Sequence, residues 1–190
     1  MHHLSEVIKK YSDCTKCDLS VQRFANKQSV VFFHGMFMAS GLIIIPKPVY
    51  KDEEKPAAYG ASSDELKIMK SIWNKLDLDP DDWIITTAIG CKGDISKENV
   101  DACSERLSDI IYSVSPKVIV TCGNKSAYAF TKKAPPKKQG WQPKEESQYY
   151  DWFHTHDFSD YVEAKEKDQD KALSIAEDIM EHWTMIKSRL

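Results

Sequence analysis

Five cysteines in a chain of 190 residues are the first feature that points to chemistry. Cys14 and Cys17 form a C-x2-C pair, Cys91 stands far downstream, and Cys103 follows twelve residues later. The number is odd, and the first residues, MHHLSEVIKKYSD, show no apolar run after their charges. Both features argue against a disulfide framework and a signal peptide. A C-x2-C places two sulfurs on one turn, and the fold must deliver the second pair. Four thiols in that order suit a metal ion or an iron–sulfur cluster, and spacing alone leaves zinc and a [4Fe–4S] cluster open. Cys122 stands alone in an apolar run and reads as a small buried hydrophobe.

The second feature is a basic stretch, residues 132–144 (KKAPPKKQGWQPK), with five lysines and no acid. The whole chain carries a net charge of −3 with a pI near 6.1, so the remainder is strongly acidic. Lys132, Lys133, Lys137 and Lys138 would neutralise phosphates, and Trp141 would stack or wedge between bases. The bland alternative is a solvated loop, which charge runs usually are.

The elements that must position these groups follow from composition and periodicity. With 42% hydrophobic and 29% charged residues, the chain is neither disordered nor collagenous. The length suits one domain over 1–190. The longest apolar stretch, 30–45, holds His34, Ser40 and two glycines and is too short to span a bilayer. A cytoplasmic protein with no membrane partner is the expectation. The pattern predicts helices over 4–11, 97–113, 125–132 and from about 171 onward. In the last, Leu173, Ala176, Ile179, Met180, Trp183, Ile186 and Leu190 share a stripe. Ser62 with Glu65 offers a capping box before the apolar face Leu66, Met69, Ile72, Trp73 and Leu76. Strands are expected over 30–33, 42–45, 83–89, 117–121 and 152–154, with loops at 47–60 and 133–147. Strands alternating with helices give a three-layer α/β/α fold around a mostly parallel sheet.

At this point the motifs resemble those of family 4 uracil-DNA glycosylases, the iron–sulfur branch of that superfamily. The matching order is C-x2-C-x-L-x3-R (Cys14, Cys17, Leu19, Arg23), then Gly60-Ala61-Ser62, then ITTAIGC ending at Cys91, then Cys103, then PKVIVTCG. A late histidine follows the last strand. The resemblance implies a [4Fe–4S] cluster on Cys14, Cys17, Cys91 and Cys103, a glycosylase-like fold, DNA as partner, and cleavage of an N-glycosidic bond.

The active-site motifs depart from the family's. Its first motif, G-E-A-P-G, stands here as Pro46-Lys47-Pro48-Val49-Tyr50, so Lys47 replaces a carboxylate. Lys47 suits a solvated loop, a phosphate contact or an amine nucleophile. The stacking aromatic aligns with Ala58, with Tyr59 as a substitute, and the base-reading asparagine aligns with Thr87. A lone hydroxyl cannot reproduce a two-point amide contact. His-Pro-Ser becomes His156-Asp157-Phe158, with His154 two residues earlier and expected on the same side of the sheet end. The implied catalytic set is His156, Lys47 and Thr87, around a base pocket of Pro46, Tyr50, Ala58, Tyr59 and His154. Two functions follow: a glycosylase with altered or weakened base choice, and an inactive glycosylase-fold protein serving as a DNA-binding accessory in replication or repair.

Overall fold

In the computed structural model, residues 2–36, 38–146 and 148–190 are described. Ser147, the end of the expected lysine loop, lies outside them. Six strands form one sheet: β1 (Phe33–Gly35), β2 (Gly41–Ile45), β3 (Trp83–Thr87), β4 (Val118–Cys122), β5 (Gly140–Trp141) and β6 (Asp151–Thr155). Their spatial order is β1-β3-β2-β4-β6-β5. The four inner strands run parallel, and β1 and β5 close the edges antiparallel. All five residues of β2, β3 and β4 are buried, as expected for apolar runs covered on both faces.

The helices are α1 (His2–Tyr11), α2 (Leu19–Ala25), α3 (Asp64–Lys75), α4 (Lys97–Ala102), α5 (Ser104–Val114), α6 (Gly123–Thr131), α7 (Phe158–Lys167) and α8 (Gln169–Lys187). Side chains alternate along the strands, so Ile43, Ile45, Ile85, Val120 and Phe153 meet α3, α7 and α8. Leu42, Ile44, Ile84 and Ile119 meet α2, α4, α5 and α6 on the other face. The result is the expected three-layer α/β/α arrangement. Three tryptophans fill its first layer: Trp83 lies 5.2 Å from Trp183 and 6.4 Å from Trp73 between ring centroids. Gly41 makes room for them, since a Cβ there would fall 2.4 Å from the Trp83 ring.

Several local expectations need correction. The cap of α3 is Ser63, which accepts from the Leu66 N–H at 3.3 Å, while Glu65 reaches across to Ser159. The helix expected over 97–113 breaks at Cys103, where α4 ends and α5 begins. On α8 the buried stripe is Ala172, Ile175, Ile179, Trp183 and Ile186, whereas Leu173 and Leu190 are exposed. The stripe turns because α8 packs against α7 as well as the sheet. No helix is long and apolar enough to cross a membrane among the described residues.

Candidate functional site

The chain leaves β2 toward β3 on one side, then returns to β4 on the other, so the order of connections reverses between β2 and β4. Ligands of open α/β sheets bind beyond the carboxyl ends of the strands at such a reversal. A cavity of about 440 Å³ lies there. Ile45, Pro46 and Lys47 line it from the end of β2, Gly123, Asn124 and Lys125 from the end of β4, and Asp157 from the end of β6. Its volume falls within the roughly 300–1,000 Å³ common for small-molecule sites.

Tyr59 is pinned at this cavity by its loop. The Val49 N–H donates to the Ala58 carbonyl at 2.8 Å, and the Gly60 N–H donates to the Val49 carbonyl at 2.6 Å. The Glu54 carboxylate accepts from the Lys51 and Ser62 N–H groups, both at 2.9 Å, and these bonds hold its pKa down. Tyr59 is 5% exposed, edge-on to Phe158, and its hydroxyl finds no hydrogen-bond partner among the described residues. Burial pushes its pKa well above the ordinary value. An unpartnered buried hydroxyl is costly unless something else meets it, and here it belongs to a cavity-lining residue.

The opposite wall is the start of α6. Gly123 has φ +77° and follows β4 directly, with no side-chain cap on the helix. The first N–H groups of the helix are therefore free for a ligand, and the helix dipole favours negative charge there. Asp157 caps α7 by accepting from the Ser159 N–H at 3.2 Å. Burial, reinforced by Asp160 and Glu65, pushes its carboxyl up to about 7, against the Ser159 N–H and Lys125. Asp157 is thus a proton donor or acceptor at neutral pH. Asp94, Ser159 and Asp160 complete the polar lining.

Of the expected base pocket, Pro46 and Tyr59 line this cavity, and of the expected catalytic set, Lys47 does. Ala58 is fully buried, and Tyr50 packs beside the Lys92 ammonium, 5.1 Å from its ring. Thr87 is sealed in the sheet with its hydroxyl unpartnered and its carbonyl bound by Arg106. His154 and His156 do not point the same way. His154 faces α6, with Nδ1 3.1 Å from Thr121 Oγ1 and Nε2 3.3 Å from Asn124 Oδ1. Burial pushes its pKa down. His156 lies past the end of β6, where strand alternation no longer applies. Its Nε2 is 3.0 Å from Asp178 Oδ2 on α8, and its ring stacks with His182 at 6.1 Å. It lines a separate cavity with Glu163, Lys167 and Lys171.

Asp157, Asn124 and Lys125 were missed as site residues. Asn124 and Lys125 sit on the first turn of the helix after β4 and Asp157 caps the helix after β6, and that position was the available signal.

The lysine loop is partly spoken for. Lys132 pairs with Asp101 at 2.9 Å, Lys133 with Glu145 at 3.4 Å, and Lys144 with Asp151 at 3.1 Å. Lys137 and Lys138 project into solvent without an acidic partner among the described residues. Trp141 is half-buried, edge-on to Phe153 at 5.0 Å, with the Arg189 guanidinium 4.1 Å above its ring. Pro135 of this loop lines an apolar groove that shares Ile95, Asn124 and Lys125 with the main cavity.

Cys14, Cys17, Cys91 and Cys103 line one small cavity of about 10 Å³, enclosed with Tyr11, Val30 and Arg106. Cys122 is fully buried in the other layer. Burial pushes the Cys91 thiol up to about 11 and raises Cys17 as well. Among the described residues, no three His, Cys, Asp or Glu groups stand close enough to hold one metal ion. The donor set is nevertheless all sulfur and enclosed. Two buried guanidiniums beside it, Arg23 and Arg106, each keep an orphaned Nε. A thiolate-bound cationic group fits that chemistry, and it would tie the α1–α2 loop to the end of β3 and the start of α5.

No protein-family model matches the chain, and no curated protein is similar to it.

Proposed function

We propose that the chain is a cytoplasmic DNA base glycosylase of the uracil-DNA glycosylase type that excises a base other than uracil. In this reading it carries a [4Fe–4S] cluster on Cys14, Cys17, Cys91 and Cys103 and works in base excision repair. The cluster is a structural staple in this reading. The observation that carries the proposal is the cavity at the β2–β4 reversal, with Tyr59, Asn124 and Asp157 in its lining. The order of motifs along the sequence supports it independently.

Excision adds water to the sugar C1′ and breaks the C–N bond, and the departing base needs a proton or a compensating charge. Asp157 fills that role, since its carboxyl, held at about 7, is partly protonated at neutral pH. Tyr59 walls the base site, and Asp160 supplies a second carboxyl group in the lining to orient water. Lys47 and Lys125 meet the flanking phosphates, and Lys137 and Lys138 extend that contact along the strand. Asp157 takes this role in place of His156, which α8 engages.

Asp157→Asn should lower excision of the accepted base about 100-fold. Unchanged activity in that variant would refute the assignment of this cavity.

One observation favours a second reading. Thr87 is sealed under Arg106 and His156 is held by Asp178, so two positions that serve catalysis in the resembled family do not reach the cavity. A DNA-binding accessory without excision would keep the cavity and the basic loop. It would bind DNA and release no base.

A further inference from the structure

Arg106 is 3% exposed and Arg23 is 4% exposed. Arg106 donates through Nη1 to the Val31 carbonyl at 3.1 Å and through Nη2 to the Thr87 and Ala88 carbonyls. Arg23 donates through Nη2 to the Cys14 carbonyl at 2.8 Å and through Nη1 to those of Ser12 and Gln28. Among the described residues neither makes an ion pair with a carboxylate, and the Nε of each has no partner. Carbonyls satisfy N–H groups but supply no negative charge. Two guanidiniums are thus buried with no compensating anion, a strongly unfavourable arrangement.

Sulfur-bearing residues stand beside both. Arg106 lines one cavity with Cys14, Cys17, Cys91 and Cys103. Arg23 holds the Cys14 carbonyl, and its guanidinium lies 4.0 Å from the Phe24 ring, which adds no negative charge. Four neutral thiols would leave both cations uncompensated, and four bare thiolates would overshoot and repel one another. Four thiolates around a dipositive core carry a net charge of −2, which two guanidiniums balance. Zn²⁺ and an oxidised [4Fe–4S] core share that charge.

We infer that Arg23 and Arg106 are the buried counterions of a dianionic tetrathiolate centre, required to retain it. They are positioning and charge-balancing residues and do not ligate the metal. The inference rests on the reading of Cys14, Cys17, Cys91 and Cys103 as ligands. It goes further by fixing the charge of the occupant and naming what holds that charge inside the protein. It also assigns a role to the arginine of the C-x2-C-x-L-x3-R motif, which does not line the cavity itself.

The test uses the full chain purified anaerobically, with iron, sulfide and zinc measured per chain. The rate of metal loss to excess EDTA is compared for wild type, Arg106→Gln, Arg106→Lys, Arg23→Gln and Arg23→Lys, each checked for folding by circular dichroism. The glutamine variants should lose metal at least tenfold faster than wild type. The lysine variants, which keep the charge but cannot fork across the carbonyls, should regain most of the retention. If the centre is a cluster, its reduction potential should fall in the glutamine variants, because a lost cation disfavours the added electron. Folded glutamine variants that lose metal at the wild-type rate would overturn the counterion role while leaving the ligand reading intact. Lysine variants as leaky as the glutamine ones would also overturn it, reducing the arginines to carbonyl staples. Arg23 and Arg106 sit on different helices, so failure of one variant to fold leaves the other as the test. A wild-type chain without metal would overturn both inference and ligand reading.

Discussion

A Cβ atom placed on Gly123 would stand 3.1 Å from the Cβ of Asp157. The glycine that follows β4 and opens α6 therefore packs against the carboxyl-bearing residue beyond β6, and both line the cavity. Gly123 also has φ +77°, a conformation that side-chain-bearing residues resist. Gly123→Ala should combine backbone strain with a tight contact and destabilise the fold by about 1–2 kcal/mol. Urea denaturation measures this, and a loss under about 0.3 kcal/mol would contradict the packing described.

Asp157 makes stability depend on pH in an unusual direction. Its folded-state pKa, about 7, lies above the ordinary carboxyl value because burial disfavours the anion. The native state therefore binds more protons than the unfolded state between about pH 4 and 7. Its contribution is fully present below the unfolded pKa and is lost as pH rises through about 7. His154 and His182, whose pKa values burial lowers, act in the opposite sense across part of the same range. The informative quantity is the difference between wild type and Asp157→Asn. The variant should gain on wild type by a few kcal/mol between pH 4 and pH 8. A constant difference across that range would mean that Asp157 titrates normally.

The four inner strands were legible because they announce themselves, whereas edge strand β1 lies at 33–35 rather than 30–33 and β5 falls inside the expected loop 133–147. GLIII, WIITT and VIVTC are continuous apolar or β-branched runs, and each is buried along its whole length. Helix α7 was not legible, since FSDYVEAKEK follows the strand with only Phe158 and Ala164 buried. That omission also rotated the expected face of α8. The convergence of four cysteines on one cavity followed from their order along the chain. Side-chain direction beyond a strand end did not follow, because alternation stops at Thr155 and α8 then sets where His156 turns.

The lysine loop separates into two kinds of residue. Lys137 and Lys138 face solvent without an acidic partner among the described residues, whereas Lys132 is held by Asp101 and caps α6 with φ 58°. Lys137→Ala with Lys138→Ala should lower DNA affinity and reduce the log–log salt slope by about two units. Lys132→Ala should change the slope less than either. Fluorescence anisotropy over a salt series distinguishes these outcomes, and an unchanged slope in the double variant would exclude the loop from the DNA surface.

Cys122 is fully buried in the layer opposite the four-cysteine cavity. Cys122→Ser should bury a poorly partnered hydroxyl and destabilise the chain by about 1–3 kcal/mol. Metal content should stay at the wild-type level, while Cys103→Ser should lose it. Loss of metal in Cys122→Ser with the fold intact would contradict the assignment of ligands.

In the proposed function the cavity beyond β2, β4 and β6 holds a base during excision. A glycosylase panel on oligonucleotides bearing uracil, modified pyrimidines and deaminated purines, run with wild type, Asp157→Asn and His156→Ala, tests this. Uracil release should be weak or absent, and at least one other base should be released. That release should fall about 100-fold in Asp157→Asn and persist in His156→Ala. Robust uracil release that survives Asp157→Asn and vanishes in His156→Ala would contradict it.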